Sequence, residues 1–75
     1  MAGRLPLLSG QAIVKLLNKA GYQAVRQRGS HIRLEAPRRQ PVTVPDYKQI
    51  DRSLLRKILR DANISVAEFL KLQRK

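Results

Sequence analysis

Cysteine and tryptophan are absent from this 75-residue chain, histidine occurs once, and only Tyr22, Tyr47 and Phe69 are aromatic. Without cysteine there is neither a disulfide staple nor a thiolate metal site. A small domain lacking staples reads as intracellular, so a cytoplasmic location is expected. With a single histidine, a metal site would need carboxylates, and Asp46 and Asp51 do not form a cluster. No metal and no cofactor are expected. Three rings are too few for stacking along an extended row of bases. No apolar run approaches the length that spans a bilayer, and MAGRLPLL has neither a long apolar core nor a cleavage site of the secretory kind. Acidic residues are also scarce: 5 against 16 lysines and arginines, a net charge of +11. Such an excess repels itself in the compact state, so a polyanionic partner is expected: RNA, DNA or an acidic protein. A membrane surface is not expected, because no helix combines a basic face with large exposed apolar groups.

The length fits one domain over residues 1–75, with a thin core. SGQAIVKLLNKAGY reads as a helix. Ser9 is its N-cap, Ala12, Ile13, Leu16, Leu17 and Ala20 form one apolar stripe, and Gly21 supplies the left-handed stop, with Tyr22 packing back on Leu17. The period then changes to two. YQAVRQ reads as a first strand, Arg28-Gly29 as a tight turn, and SHIRLE as a second strand. Ser30, Ile32 and Leu34 fall on its core side; His31, Arg33 and Glu35 fall on the other. APRRQP is a second turn, and VTV a third strand bracketed by Pro41 and Pro45, as suits an edge. After PDYKQI, Asp51 caps a second helix with Leu54, Leu55, Ile58, Leu59 and Ala62 as its stripe, and Asn63 closes it in a left-handed conformation. Ser65 and Glu68 form a capping box for a short third helix, with Ile64 and Phe69 as its hydrophobic staple. The basic tail KLQRK is expected to fray.

The predicted fold is therefore α+β: an α-β-β-β-α order with a three-stranded antiparallel sheet, helices on one face, and a short extra C-terminal helix. That order is also the order of the double-stranded-RNA-binding fold. The uncovered sheet face should carry His31, Arg33, Thr43 and Arg26.

Arg26, Arg28, Arg33, Arg38 and Arg39 crowd the centre of the chain against a single acid, Glu35. In a meander they are expected on the open face and its loops, where guanidinium groups bind phosphate bidentately. Lys48, in the following link, joins them as a candidate RNA contact. Gly29 allows a sugar-phosphate to approach the backbone closely, and Ser30 beside it reads as structural rather than nucleophilic. An imidazole can act as general acid or base near neutral pH. On RNA, His31 could take the 2′-OH proton or protonate the 5′-oxygen leaving group, with arginines stabilising the charged transition state. By position alone, a lone exposed histidine is more often a plain surface residue.

SGQAIVKLLNKAGYQAVRQRGSHIRL, PVTVP and LLRKILRDANISVAEFL, in this order and spacing, resemble the HicA-type toxins of bacterial and archaeal toxin–antitoxin pairs. The resemblance runs from about Ser9 to Leu70. It implies a double-stranded-RNA-binding-like fold and metal-independent mRNA cleavage. The family's G-S-H triplet maps onto Gly29, Ser30 and His31, with His31 as the catalytic residue. It also implies a HicB-type antitoxin as the partner that covers the active site. Two positions depart from the family pattern. Tyr47 stands near where members often carry a second histidine, and Asn63 replaces a commoner glycine after the second helix. The competing reading is a non-catalytic double-stranded-RNA-binding module. KQIDR, at the start of the second helix, is only mildly basic, which counts against it.

Overall fold

The computed structural model describes residues 4–74. Helix α1 spans Gly10–Lys19, strands β1, β2 and β3 span Gln23–Arg28, His31–Glu35 and Val42–Pro45, and helices α2 and α3 span Arg52–Ala62 and Val66–Arg74. The strands form one antiparallel sheet in the order β1-β2-β3. This is the α+β, double-stranded-RNA-binding-like architecture expected from the sequence.

Local signals set the helix ends. The Ser9 hydroxyl accepts the Ala12 N–H at 3.1 Å, and Asp51 Oδ1 accepts the Leu54 N–H at 2.8 Å. Each such cap stabilises its helix by about 1 kcal/mol. Both α1 and α2 close with the same pair of backbone bonds. In α1, Tyr22 N–H donates to the Leu17 carbonyl and Gly21 N–H to Asn18. In α2, Ile64 N–H donates to Leu59 and Asn63 N–H to Arg60. The residue at the bend is left-handed in each case, Gly21 at φ +100° and Asn63 at φ +57°, which satisfies carbonyls that the helix leaves orphaned. The capping box of α3 forms in both directions, Glu68 N–H to Ser65 Oγ at 3.0 Å and Ser65 N–H to Glu68 Oε1 at 3.3 Å.

The core lies between the helices and one sheet face. Ile32, Leu34, Val42 and Val44 meet Ile13, Leu17, Leu55, Leu59 and Phe69 there, all buried. Each large side chain so removed from water contributes roughly 1.5–3 kcal/mol. Tyr22 is fully buried, and its hydroxyl donates to the Gln40 carbonyl at 2.7 Å. Burial pushes its phenol above the ordinary 10.0, partly opposed by the Arg39 guanidinium.

Four sequence expectations change. β1 runs to Arg28, so the tight turn is Gly29-Ser30 rather than Arg28-Gly29. Ser30 therefore sits in that turn, half-buried, and not on the core side of β2. β3 extends through Pro45, which pairs with His31; as a proline on an edge strand it needs no outward partner. α3 continues to Arg74, with Leu72 packed on the core, because its apolar stripe outlasts the expected fraying point. The N-terminal segment also takes a structural part that periodicity did not reveal. Leu5 is buried, Leu8 bridges to Ile50, and the Leu5 carbonyl accepts from Arg52 Nε at 2.6 Å.

Candidate functional site

The site begins with a phase problem in β1. Strict alternation from the buried Tyr22 would put Ala24, Arg26 and Arg28 all on the core side. A β-bulge between Ala24 and Arg26 breaks that alternation. Ala24 pairs with Leu34 on the core side, Val25 is the extra residue, and Arg26 pairs with Arg33 and Arg28 with His31. Directly opposed residues share a face, so Arg26 and Arg28 join Arg33 and His31 on the uncovered side. Thr43, opposite Arg33 on the third strand, completes the group. Among the described residues these five line an open depression of about 160 Å³.

The hairpin turn holds the end of this depression. Gly29 has φ +55°, and Ser30 is not in the left-handed region. A first central residue at positive φ is what a two-residue turn of type II′ demands, and glycine meets it without strain. No atom lies within 4 Å of where a Gly29 Cβ would stand, so the requirement is one of backbone, not of space. Two side chains brace the turn. Gln27 Nε2 donates to the Gly29 carbonyl at 3.0 Å and reaches Asp46 Oδ2 at 3.5 Å, while Gln11 Nε2 donates to Asp46 Oδ1 at 3.1 Å. The Asp46 N–H donates to the Ser30 carbonyl.

The remaining candidates are placed unequally. Arg33 Nε lies 3.0 Å from Glu35 Oε2, with both side chains about half exposed. A pair in that setting is worth at most about 1 kcal/mol, so a phosphate can displace it. Arg38 and Arg39 do not reach the depression. They follow β2 at its far end, and the strand alone separates His31 from Glu35 by roughly 14 Å. Arg39 ties the loop to α2 by donating from Nη1 to the Ala62 carbonyl at 3.0 Å. Arg38 is exposed at φ +65° and borders a separate depression of about 510 Å³ with Pro37, Arg39, Gln40 and Asn63. Lys48 is exposed in the loop after β3, one residue beyond Tyr47.

Sequence reading missed Gly10 altogether. A Cβ there would stand 2.0 Å from the Pro45 carbonyl oxygen, and the Gly10 N–H donates to the Tyr47 carbonyl at 2.9 Å. The first turn of α1 is thus pressed against the loop that follows β3. No periodic signal encodes so close an approach; only the glycine at a helix start hints at it.

An imidazole beside three guanidinium groups, on a shallow face open to solvent, suits a phosphodiester of an extended strand. It offers no enclosure for a small molecule, since binding pockets of that kind typically reach about 300–1,000 Å³ and bury their ligand. Comparison with curated proteins and with solved structures gives no match. The family model described as HicA toxin of bacterial toxin-antitoxin matches residues 10–64. That stretch runs from the first residue of α1 past the left-handed close of α2, and it contains the hairpin turn, the bulge and all five residues of the depression. With most of its length and its whole open sheet face inside the match, the chain belongs to the HicA toxin family of bacterial toxin–antitoxin systems.

Proposed function

We propose that the protein is a metal-independent endoribonuclease that cleaves mRNA in the cytoplasm, and that a HicB-type antitoxin silences it by covering His31. One observation carries this reading: the bulge and the hairpin bring Arg26, Arg28 and Arg33 around His31 on the helix-free face. In the proposed reaction the guanidinium groups hold the scissile phosphate. His31 accepts the 2′-OH proton as that oxygen attacks phosphorus. The bond from phosphorus to the 5′-oxygen breaks, water protonates the leaving oxygen, and the products are a 2′,3′-cyclic phosphate and a 5′-hydroxyl. The arginines stabilise charge that builds on the phosphoryl oxygens, where fixed positive groups act most strongly. Gly29 and Ser30 leave the turn low enough for the backbone of the RNA to pass. An acidic antitoxin surface fits the same face by charge.

The purely binding alternative has less in its favour. A double-stranded-RNA-binding module places a basic cluster at the start of its second helix. Here Asp51 caps that helix and Arg52 Nε is engaged with the Leu5 carbonyl.

His31→Ala tests the reading. The variant should fold and bind RNA as the wild type does, while cleavage falls about 10²–10⁴-fold, the range of a lost general acid–base group. Cleavage should continue in the presence of a chelator. Unchanged cleavage by the variant would remove His31 from the chemistry, and loss of wild-type activity on chelation would remove the metal independence.

A further inference from the structure

Of the three aromatic rings, two are committed to the core: Tyr22 and Phe69 are each 0% exposed. Tyr47 is 48% exposed. Its ring is exposed, yet its backbone is clamped. The Asp46 N–H is bonded to the Ser30 carbonyl, the Tyr47 carbonyl accepts the Gly10 N–H, and Gln11 and Gln27 hold the Asp46 carboxylate. On the far side Ile50 is buried and its N–H donates to the Leu8 carbonyl at 2.7 Å. A large side chain left in water on a fixed loop contributes little to folding, and loops positioned by a rigid scaffold are where binding residues concentrate.

The clamp also limits how far the Tyr47 backbone can lie from that of His31. The path from the His31 Cα through the Ser30 carbonyl and the Asp46 N–H to the Tyr47 Cα limits their separation to about 11 Å by standard backbone dimensions. The side chains of both residues can span much of that interval. We infer that Tyr47 is a base-stacking platform for a nucleobase next to the scissile phosphate of a single-stranded RNA. The inference rests on the RNA-cleaving reading of the His31 site. Single-stranded RNA is typically held by aromatic rings that receive unstacked bases, and here one ring is available for it. Because the loop is already ordered, stacking requires little further loss of freedom on binding. Lys48 is exposed beside Tyr47 and would supply a cation for the phosphate of the stacked nucleotide.

The test uses the full chain and a short 2′-O-methyl oligouridylate, which lacks the attacking hydroxyl and cannot be cut. An abasic oligomer of the same length keeps its phosphates. Tyr47→Ala should weaken binding of the base-bearing oligomer roughly tenfold, as loss of one stacked base does, and leave the abasic oligomer unaffected. Tyr47→Phe should bind both as the wild type does. With no tryptophan in the chain, tyrosine emission reports the contact directly: the base-bearing oligomer should quench it in the wild type and not in Tyr47→Phe. Equal weakening of both oligomers, no weakening, or a Tyr47→Phe defect as large as that of Tyr47→Ala would each overturn the inference. A wild-type protein that shows the stacking but leaves ordinary RNA intact fails the nuclease reading alone. One that cuts RNA, with Tyr47→Ala at wild-type KM, fails the stacking inference alone.

Discussion

Tyr22 does three things at once. Its N–H closes α1, its ring fills the core, and its hydroxyl reaches across to the Gln40 carbonyl at the start of the β3 approach. Burial raises its phenol above 10.0, and this has a signed consequence. The unfolded chain releases the phenolic proton near the ordinary value, whereas the folded chain holds it to higher pH. The folded state therefore binds more protons in that window, and stability falls as pH rises. Below the unfolded value the contribution is complete; it is lost as pH climbs from about 10 through the higher folded value. Tyr22→Phe removes the titration. Denaturant melts at a series of pH values should show the variant less stable near neutrality, by about 0.5–1.5 kcal/mol for the missing hydrogen bond. Its alkaline decline should be shallower than that of the wild type. Parallel alkaline declines in the two proteins would mean that the buried phenol does not set the slope.

At the scale of elements, the bulge at Val25 reconciles two demands that a regular strand of this length cannot meet together. Upstream, Tyr22 must face the core. Downstream, the Gly29-Ser30 turn sets Arg28 opposite His31. One extra residue between them changes the phase, and Val25, 52% exposed, is that residue. Deleting Val25 should leave both demands satisfied: Ala24 still meets Leu34, and Arg26 still meets Arg33. RNA affinity and the far-ultraviolet spectrum should stay close to wild type. Deleting Gln27 instead moves Arg26 to the core side and unbraces the Gly29 carbonyl, so affinity and melting temperature should both fall. If the two deletions behave alike, the bulge does not set the site. This device also marks what the sequence could not reveal. Helix caps, the capping box and the outward facing of His31 were legible because each depends on residues a few positions apart. Arg26 and Arg28 were legible as candidate phosphate ligands by type, but their face depended on a bulge that no turn residue announces. Arg39 was read as an RNA contact; its tie to Ala62 depends on a loop meeting a helix more than twenty positions away. Gly10 and Leu5 were missed for the same reason, since Gly10 packs on the Pro45 carbonyl and the Leu5 carbonyl is held by Arg52, each far along the chain.

For the molecule as a whole, the excess positive charge raises the question whether the proposed RNA would meet a site or a diffuse cloud. The shortest dimension of the protein is 20 Å, well above the screening length of about 8 Å at physiological ionic strength. Cations on the outer side of the helical layer are therefore screened from a strand lying on the open sheet face. Arg56, exposed on α2, belongs to that layer. Phosphate contacts are counted by salt: for single strands, the logarithm of the binding constant falls with the logarithm of salt by about 0.7 per neutralised phosphate. Arg26→Gln, Arg28→Gln and Arg33→Gln, measured on the uncleavable oligouridylate across a salt series, should each flatten the slope by about 0.7. Arg56→Gln should leave it unchanged. Arg38→Gln is the informative intermediate, because its loop lies beyond the far end of β2: a flattened slope with a long oligomer and not with a short one would show that the strand runs the length of the sheet. Equal flattening by Arg56→Gln and Arg28→Gln would mean that net charge, not the depression around His31, binds the RNA.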